Sequence, residues 1–176
     1  MSRYARFFSK CLIFALVLGS LFVLSASSEA ALPLNTPFAV MAKGPSQQHI
    51  SNTEAIITRQ LLAKGYKVVD PQKLNAIRRD AAARAALEGD VNAILRLSRG
   101  HGATMIVVQV QADPPRRNEF DLFTGTSDLA LQVGAPNGSI IYADTARGRG
   151  VGYTTGEAAS KAIEVAATAA VNGMTR

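Results

Sequence analysis

The sequence predicts a single α+β domain, an α/β sandwich in which a mixed sheet of about five strands is covered by helices. Three observations lead to this fold class. Segments with helical period alternate with short β-branched runs, and one Asn-Gly turn joins two alternating stretches near the C-terminus. In addition, 48% of the residues are hydrophobic, yet no apolar run long enough to span a bilayer follows residue 30. The predicted order is β-α-β-α-α-β-β-β-α.

The first thirty residues have the pattern of a secretory signal peptide. Three basic side chains precede the unbroken apolar run 11–25, and Ser28 and Ala30 supply small residues at positions −3 and −1 of a cleavage site. An uncleaved anchor helix is the alternative. Either way, we expect residues 31–176 to form one exported domain in the periplasm.

The only cysteine, Cys11, lies inside this leader. It follows Ser9 and Lys10 rather than the small and aliphatic residues of a lipidation site, so we expect no lipid anchor. The mature chain then has no disulfide, thiol nucleophile or thiolate metal site, and its core must hold the fold.

The chain is moderately basic, with a formal net charge of +6. Without the leader, 16 basic and 12 acidic residues remain, a balance that permits contact with anionic polymers or lipid head groups. Nucleic acid is not an expected partner, because tryptophan is absent and few aromatic residues are interleaved with the basic ones.

The first elements are predicted to be a strand, a helix and a second strand. Residues 37–42 form the first strand. Either Ser51 or Asn52 caps the helix, with Glu54 in the capping-box position if Ser51 is the cap. The run 66–70 is then read as a strand.

Two helices and the most strongly predicted strand follow. Asp70 is expected to cap a long helix over 71–88, which starts with proline at its first position. Asp90 caps the next helix, 91–102. The β-branched run 103–112 is the strand that follows.

The last part of the chain is predicted to be a hairpin and a closing helix. Hydrophobic residues alternate over 120–124 and again over 129–133, and Asn137-Gly138 is a strong signal for a tight turn. The segment 140–148 returns as the partner strand. An alanine-rich helix over 157–172 then ends at the next glycine.

Four glycines between residues 148 and 156 raise the question of a phosphate-binding loop. A Walker loop is not favoured, because Glu157 stands where lysine would attract phosphate. A dinucleotide fold is not favoured either, since no second strand follows. We expect Thr154 and Glu157 to form a capping box, while the glycines let the strand pass close to a neighbouring element. Anion contact through free backbone amides is the minor alternative.

No catalytic or metal-binding pattern is found. His49 and His101 are the only histidines and lack partners at ligand spacing. Asp113 and Asp121 flank a Pro-Pro-Arg-Arg loop, where a paired-carboxylate site is the alternative to a purely structural role. We therefore expect no enzyme activity, no cofactor and no metal.

Basic side chains give the remaining signal. They are either a solvated surface or a face that binds an acidic protein, glycan or lipid. The candidates for protein binding are Arg78, Arg79, Arg96, Arg99, Arg116 and Arg117.

Three stretches together resemble a family of envelope domains. They are "LLAKGYKVVDPQKLNAI", "EGDVNAILRLSRGHGATMIVVQV", and "LALQVGAPNGSIIYADTARGRG" with the later "EAASKAIEVAA". In their order they resemble the α/β domain shared by the middle domain of flagellar assembly protein T, the curli-export channel protein, the lipoprotein activators of penicillin-binding proteins and the amino-terminal domain of TolB. The resemblance implies a non-enzymatic module that docks on other proteins.

These observations lead to two functional hypotheses. The first is a periplasmic binding or assembly module that docks on flagellar, secretion or cell-wall proteins through a sheet edge, the Pro-Pro-Arg-Arg loop or the arginines. The alternative is a small ligand-binding protein or hydrolase that uses the 113–121 loop and the glycine run 148–156. The oligomeric state stays open.

Overall fold

A five-stranded mixed sheet forms the centre of the computed structural model, which describes residues 32–176. The predicted signal peptide lies outside these residues. The strands are β1 (Phe38–Lys43), β2 (Thr104–Ala112), β3 (Arg116–Arg117), β4 (Phe123–Gly134) and β5 (Ile140–Gly152). The helices are α1 (Gln47–Ala63), α2 (Pro71–Arg79), α3 (Ala83–Leu87), α4 (Val91–His101) and α5 (Thr155–Met174). The predicted fold class is confirmed.

Strand β4 links the two halves of the sheet. One of its edges pairs antiparallel with β2 and, at its first two residues, with β3, while its other edge pairs antiparallel with the whole of β5. Strand β1 lies parallel to β2 on the far side. Strand β5 therefore has only one neighbour in the described sheet.

Helices cover the sheet on both faces and bury two separate cores. Ile106 and Val108 of β2 point into the core beneath α1 and α5, whereas Met105 and Val107 point into the core beneath α2, α3 and α4. A strand buried on both faces has a continuous apolar sequence rather than an alternating one. This explains why β2 is so clear in the sequence. No helix within residues 32–176 is long and apolar enough to cross a membrane.

Helix α1 begins earlier than the sequence predicted. Its N-cap is Ser46, whose hydroxyl accepts a hydrogen bond from the backbone N–H of His49. Ser51, like the alternative cap beside it, lies inside the helix. The capping box with Glu54 is therefore wrong, and one oxygen of that carboxylate instead accepts the N–H of Ala42 at 3.0 Å.

The segment 66–70 is not a full strand. It makes a single parallel bridge between Val68 and Phe38, with Phe38 N–H donating to the carbonyl of Lys67. Asp70 then caps α2 as predicted, accepting from the N–H of Lys73. Because α2 begins directly after Asp70, the segment has too few residues to form a longer ladder with β1.

The long helix expected over 71–88 is two helices. Asp80 has extended backbone angles and its side chain accepts the N–H of Ala82 at 2.9 Å. Aspartate competes with helical hydrogen bonding in this way, because its carboxylate offers nearby amides an alternative acceptor. The break turns the short α3 into a separate element.

The C-terminal hairpin is longer than predicted. Strand β4 contains the second alternating stretch but only residues 123–124 of the first, because Phe120 and Leu122 lie before the strand, so the strand predicted over 120–124 is wrong in its first part. Strand β5 runs through the glycines to Gly152 instead of ending at residue 148. The Asn-Gly turn is confirmed, with Gly138 at a positive φ of 87°. Helix α5 continues past Gly173, which was predicted to end it.

The glycine run allows α5 to lie directly on β5. A Cβ built on Gly148 would overlap the carbonyl oxygen of Ala162 and lie 2.5 Å from the backbone nitrogen of Ala166. A Cβ on Gly150 would lie 2.7 Å from Cβ of Lys161. The predicted structural role of these glycines is confirmed.

The start of α5 is capped by the predicted pair. The hydroxyl of Thr154 accepts the N–H of Glu157 at 3.1 Å, and Glu157 accepts the N–H of Tyr153 at 2.9 Å. Glu157 also pairs with Lys161, Oε1 to Nζ 2.7 Å. The Lys161 hydrogen bond, followed by the Tyr153 N–H, holds the pKa of Glu157 below its ordinary 4.5.

Replacing Gly148 with alanine is expected to lower the free energy of unfolding by about 1–3 kcal/mol, because α5 must move off the sheet. Urea unfolding measures the change. Gly156→Ala is the matched control: its Cβ meets nothing within 4 Å, so stability should stay the same or rise by up to about 1 kcal/mol. Equal stability of the two variants would contradict this account of the helix contact.

Glu157→Gln tests the charged part of the cap. A carboxylate whose pKa is lowered by folding stabilises the fold above its unfolded-state pKa, and this contribution is lost as the pH falls through the folded-state pKa. The wild type should therefore be more stable than Glu157→Gln at pH 7, and the difference should disappear as the pH falls well below 4.5. Urea unfolding at several pH values measures it. Glu119→Gln, which removes an exposed carboxylate without an ion pair in the described chain, should show no such pH-dependent difference.

Candidate functional site

The outer edge of β5 is the most prominent open feature of the fold. The strand has thirteen residues, and all of its ladder contacts within the described sheet go to β4. Alternate residues of such an edge direct their N–H and C=O groups outward. A long edge of this kind is a template for pairing with another extended chain.

A groove runs between this edge and the outer side of α5. We call it the edge groove. It encloses about 520 Å³, and its lining includes Arg149, Gly150, Val151, Lys161, Val165 and Thr168. Because the glycines let α5 lie low on the sheet, the helix forms one wall of the groove without covering the strand edge.

Three of the seven exposed large hydrophobic side chains of the described residues lie in or next to the edge groove. Val151 is 39% exposed and Val165 is 49% exposed, and both line it. Tyr153, at 80%, lies just beyond the end of β5. Exposed apolar side chains that cluster beside an open strand edge indicate an interaction surface.

Two arginines, on the face of β5 that points away from α5 and also carries Val151, give the edge its charge. Arg147 donates two hydrogen bonds to Asp128, of 2.7 and 2.9 Å. This pair lowers the pKa of the Asp128 carboxyl. Arg149, two residues on, has no acidic partner within residues 32–176. The edge therefore carries positive charge that its own neighbours do not fully neutralise.

This charge disfavours pairing of two copies through β5. A symmetric antiparallel pair places residues of the same face opposite one another. Registers that use the middle of the strand would bring Arg147 and Arg149 of one copy beside the same side chains of the other. Like charges in cross-strand positions destabilise such pairs.

The six arginines predicted to bind protein do not form one patch. Arg99 lies over the β4–β5 turn at Gly138, whereas Arg116 and Arg117 pair with the opposite end of β4. A strand of twelve residues separates these ends by about 40 Å.

The other members of the set lie on the layer formed by α2 and α4. Arg78, the next-to-last residue of α2, pairs with Glu54 at 2.5 Å, and Arg79 at the end of the helix is exposed. Arg96 is exposed on α4, where its charge contributes to the lowered pKa of Asp80. A binding role for any of the six stays a prediction.

The residues of the alternative site each have a structural partner. Asp113 accepts a hydrogen bond from the hydroxyl of Thr126 at 2.8 Å, and Asp121 pairs with Arg117 at 3.2 Å. The loop 113–121 contains β3 and is thus part of the sheet. Strand β4 separates this loop from the glycine run, because Thr126 of β4 contacts Asp113 on one side and pairs with Arg149 of β5 on the other.

The two histidines also have local partners. His101 contacts Asp80 at 3.2 Å, and His49 contacts Ser46 at 3.0 Å. The N–H of Ala82, and next the His101 contact, lower the pKa of Asp80. No group of three potential metal-ligating side chains occurs in the part of the chain that the structure describes.

The sheet edge was foreseen only as a general docking surface. Residues 140–152 do not indicate that their strand lies at the edge of the sheet. Their alternation predicts a strand with a partner, but it does not predict that a second partner is absent. The available signal was Val151, an apolar residue at an exposed position of the alternation, between the buried Gly150 and Gly152.

Comparison with known proteins shows similarity of fold. No protein-family profile and no curated protein matches the sequence. The structure of lipoprotein GNA1162 from Neisseria meningitidis matches with a TM-score of 0.52 and 15% identity, over 79% of this chain and 97% of that one. A minor lipoprotein from Acinetobacter baumannii matches with a TM-score of 0.42 and 12% identity, over 78% and 91%. The chain thus shares an α/β fold with GNA1162, and this likeness concerns the fold alone.

Proposed function

We propose that this chain is an exported, non-enzymatic docking module of the bacterial periplasm. It binds an extended segment of another envelope protein, which adds as a strand to the free edge of β5. The observation that carries the proposal is the thirteen-residue edge that pairs only with β4 within residues 32–176 and lies beside the edge groove.

The edge groove supports strand addition rather than helix binding. Main-chain hydrogen bonds along an edge supply affinity for an extended segment, and pockets beside it select alternate side chains. Val165 on α5 provides an apolar contact for a side chain on the helix side of the incoming strand, and Val151 provides one on the opposite face. Arg149, on the same face as Val151, favours an acidic residue of the incoming strand on that face.

The arginines of β5 support a different protein as partner rather than a second copy. They disfavour symmetric pairing, but they leave the edge open to a strand without basic residues. Flagellar, secretion and cell-wall proteins are the candidate partners, in line with the family resemblance of the sequence.

The leader sequence supports export, and the lack of a lipidation site at Cys11 supports release as a free protein. The fold likeness to lipoprotein GNA1162 is compatible with a role in the envelope. We propose that this domain works in the periplasm without a lipid anchor of its own.

Site-specific photo-crosslinking in the cell tests the docking surface. A photoreactive amino acid at position 151 or 165 should form an adduct with one partner protein, which mass spectrometry identifies. The same amino acid at position 62, a leucine 55% exposed on α1 outside the groove, is the control. Adducts of equal yield at position 62, or none at 151 and 165, would contradict the proposal.

A binding measurement with the partner segment identified in this way gives the contribution of the apolar wall to affinity. Val165→Glu should weaken binding at least tenfold, or about 1.4 kcal/mol, because it places a carboxylate in the apolar wall. Leu62→Glu introduces the same charge elsewhere and should leave the dissociation constant unchanged. Equal affinities of the two variants would exclude the edge groove as the binding surface.

A further inference from the structure

A second concave site lies at the opposite edge of the sheet, at the C-terminal end of β1. We call it the strand-end cleft. It encloses about 490 Å³ between β1, the first turn of α1 and the helices α2 and α3. Its floor is apolar, formed by Met41, Ile50 and Leu87 with the small side chain of Ala83. Volumes in this range suit small organic ligands.

The acidic side chains on the wall of the cleft are engaged in ion pairs. The carboxylate of Glu54 is fully engaged, since Oε1 accepts the N–H of Ala42 at 3.0 Å and Oε2 accepts Arg78 Nη2 at 2.5 Å. Glu88 pairs with Lys43 at 2.5 Å on the opposite wall. Each carboxylate is thus paired with a basic side chain of the lining.

Basic groups on the wall have donors to spare. Arg84 lines the cleft and has no acidic partner within residues 32–176. Arg78 has five N–H groups and gives one side-chain hydrogen bond within the described chain. The three basic and two acidic side chains of the lining therefore leave a surplus of donors for an anion.

The backbone adds to this preference. The cleft opens at the carboxyl end of the parallel strands β1 and β2, the end at which open α/β sheets bind ligands. Helix α1 starts at Gln47 in the wall, so the positive end of its dipole faces the same space. These features are independent of Arg84.

From this geometry we infer that the strand-end cleft binds a small aliphatic carboxylate. The carboxylate accepts hydrogen bonds from Arg84 and the free N–H groups of Arg78, and the hydrocarbon chain lies on Met41, Ile50 and Leu87. This site is separate from the edge groove and does not depend on the docking proposal.

Titration calorimetry with sodium octanoate tests the inference on the mature chain. Octanoate should bind with one site per chain, and octanol, which has the same hydrocarbon chain without the charge, should bind at least tenfold more weakly. Arg84→Gln should weaken octanoate binding at least tenfold and leave octanol binding unchanged.

Arg99→Gln is the matched control, because it removes the same charge from an exposed helical position outside the cleft. It should bind octanoate like the wild type, and circular dichroism should show that both variants are folded. No octanoate binding, octanol binding as tight as octanoate, or equal losses in the two variants would each overturn the inference. The protein partner plays no part in this experiment, so its outcome is distinct from that of the docking tests.

Discussion

Close contact between α5 and β5 is the constraint on which the rest of the structure depends. Gly148 and Gly150 face backbone atoms of Ala162 and neighbouring residues so closely that no Cβ fits between them. An alanine-lined helix can settle at this distance only because the strand beneath it has no side chains there. The helix thereby buries its small residues with little void volume.

The position of α5 determines what else the sheet can carry. Helix α1 lies beside α5, with Asn52 donating to Ser160 and Gln60 donating to Thr168 across the boundary between them. Together the two helices fill one face. The low position of α5 leaves the outer edge of β5 and the apolar wall beside it exposed. The same contact that stabilises the fold thus shapes the surface proposed to bind a partner.

Local signals made much of this fold predictable from the sequence. The caps Asp70, Asp90 and Thr154 and the turn at Gly138 depend on residues only a few positions apart, and all four lie where predicted. Failures occurred where two local signals competed. Ser46 caps α1 although Ser51 stands closer to the apolar period, and an aspartate divides the helix that periodicity joined.

Neither proposed site could be predicted in full, because each depends on contacts between distant parts of the chain. The strand-end cleft brings Lys43, Glu54 and Arg84 together from three separate elements. The free edge of β5 is defined by the absence of a second neighbouring strand within residues 32–176. The six arginines predicted to bind protein differ from these sites. They share a sequence pattern, but in the structure they are distributed over both ends of the sheet.

The topology also has a consequence for how the chain reaches this fold. The β4–β5 hairpin and α5 are consecutive in sequence and share the glycine contact, so their mutual contacts close only short loops. The parallel pairing of β1 with β2 spans more than sixty intervening residues and must be among the slower steps. We therefore expect the C-terminal third to act as the folding nucleus. A chain that emerges N-terminus first would then remain unfolded until its last helix has been delivered.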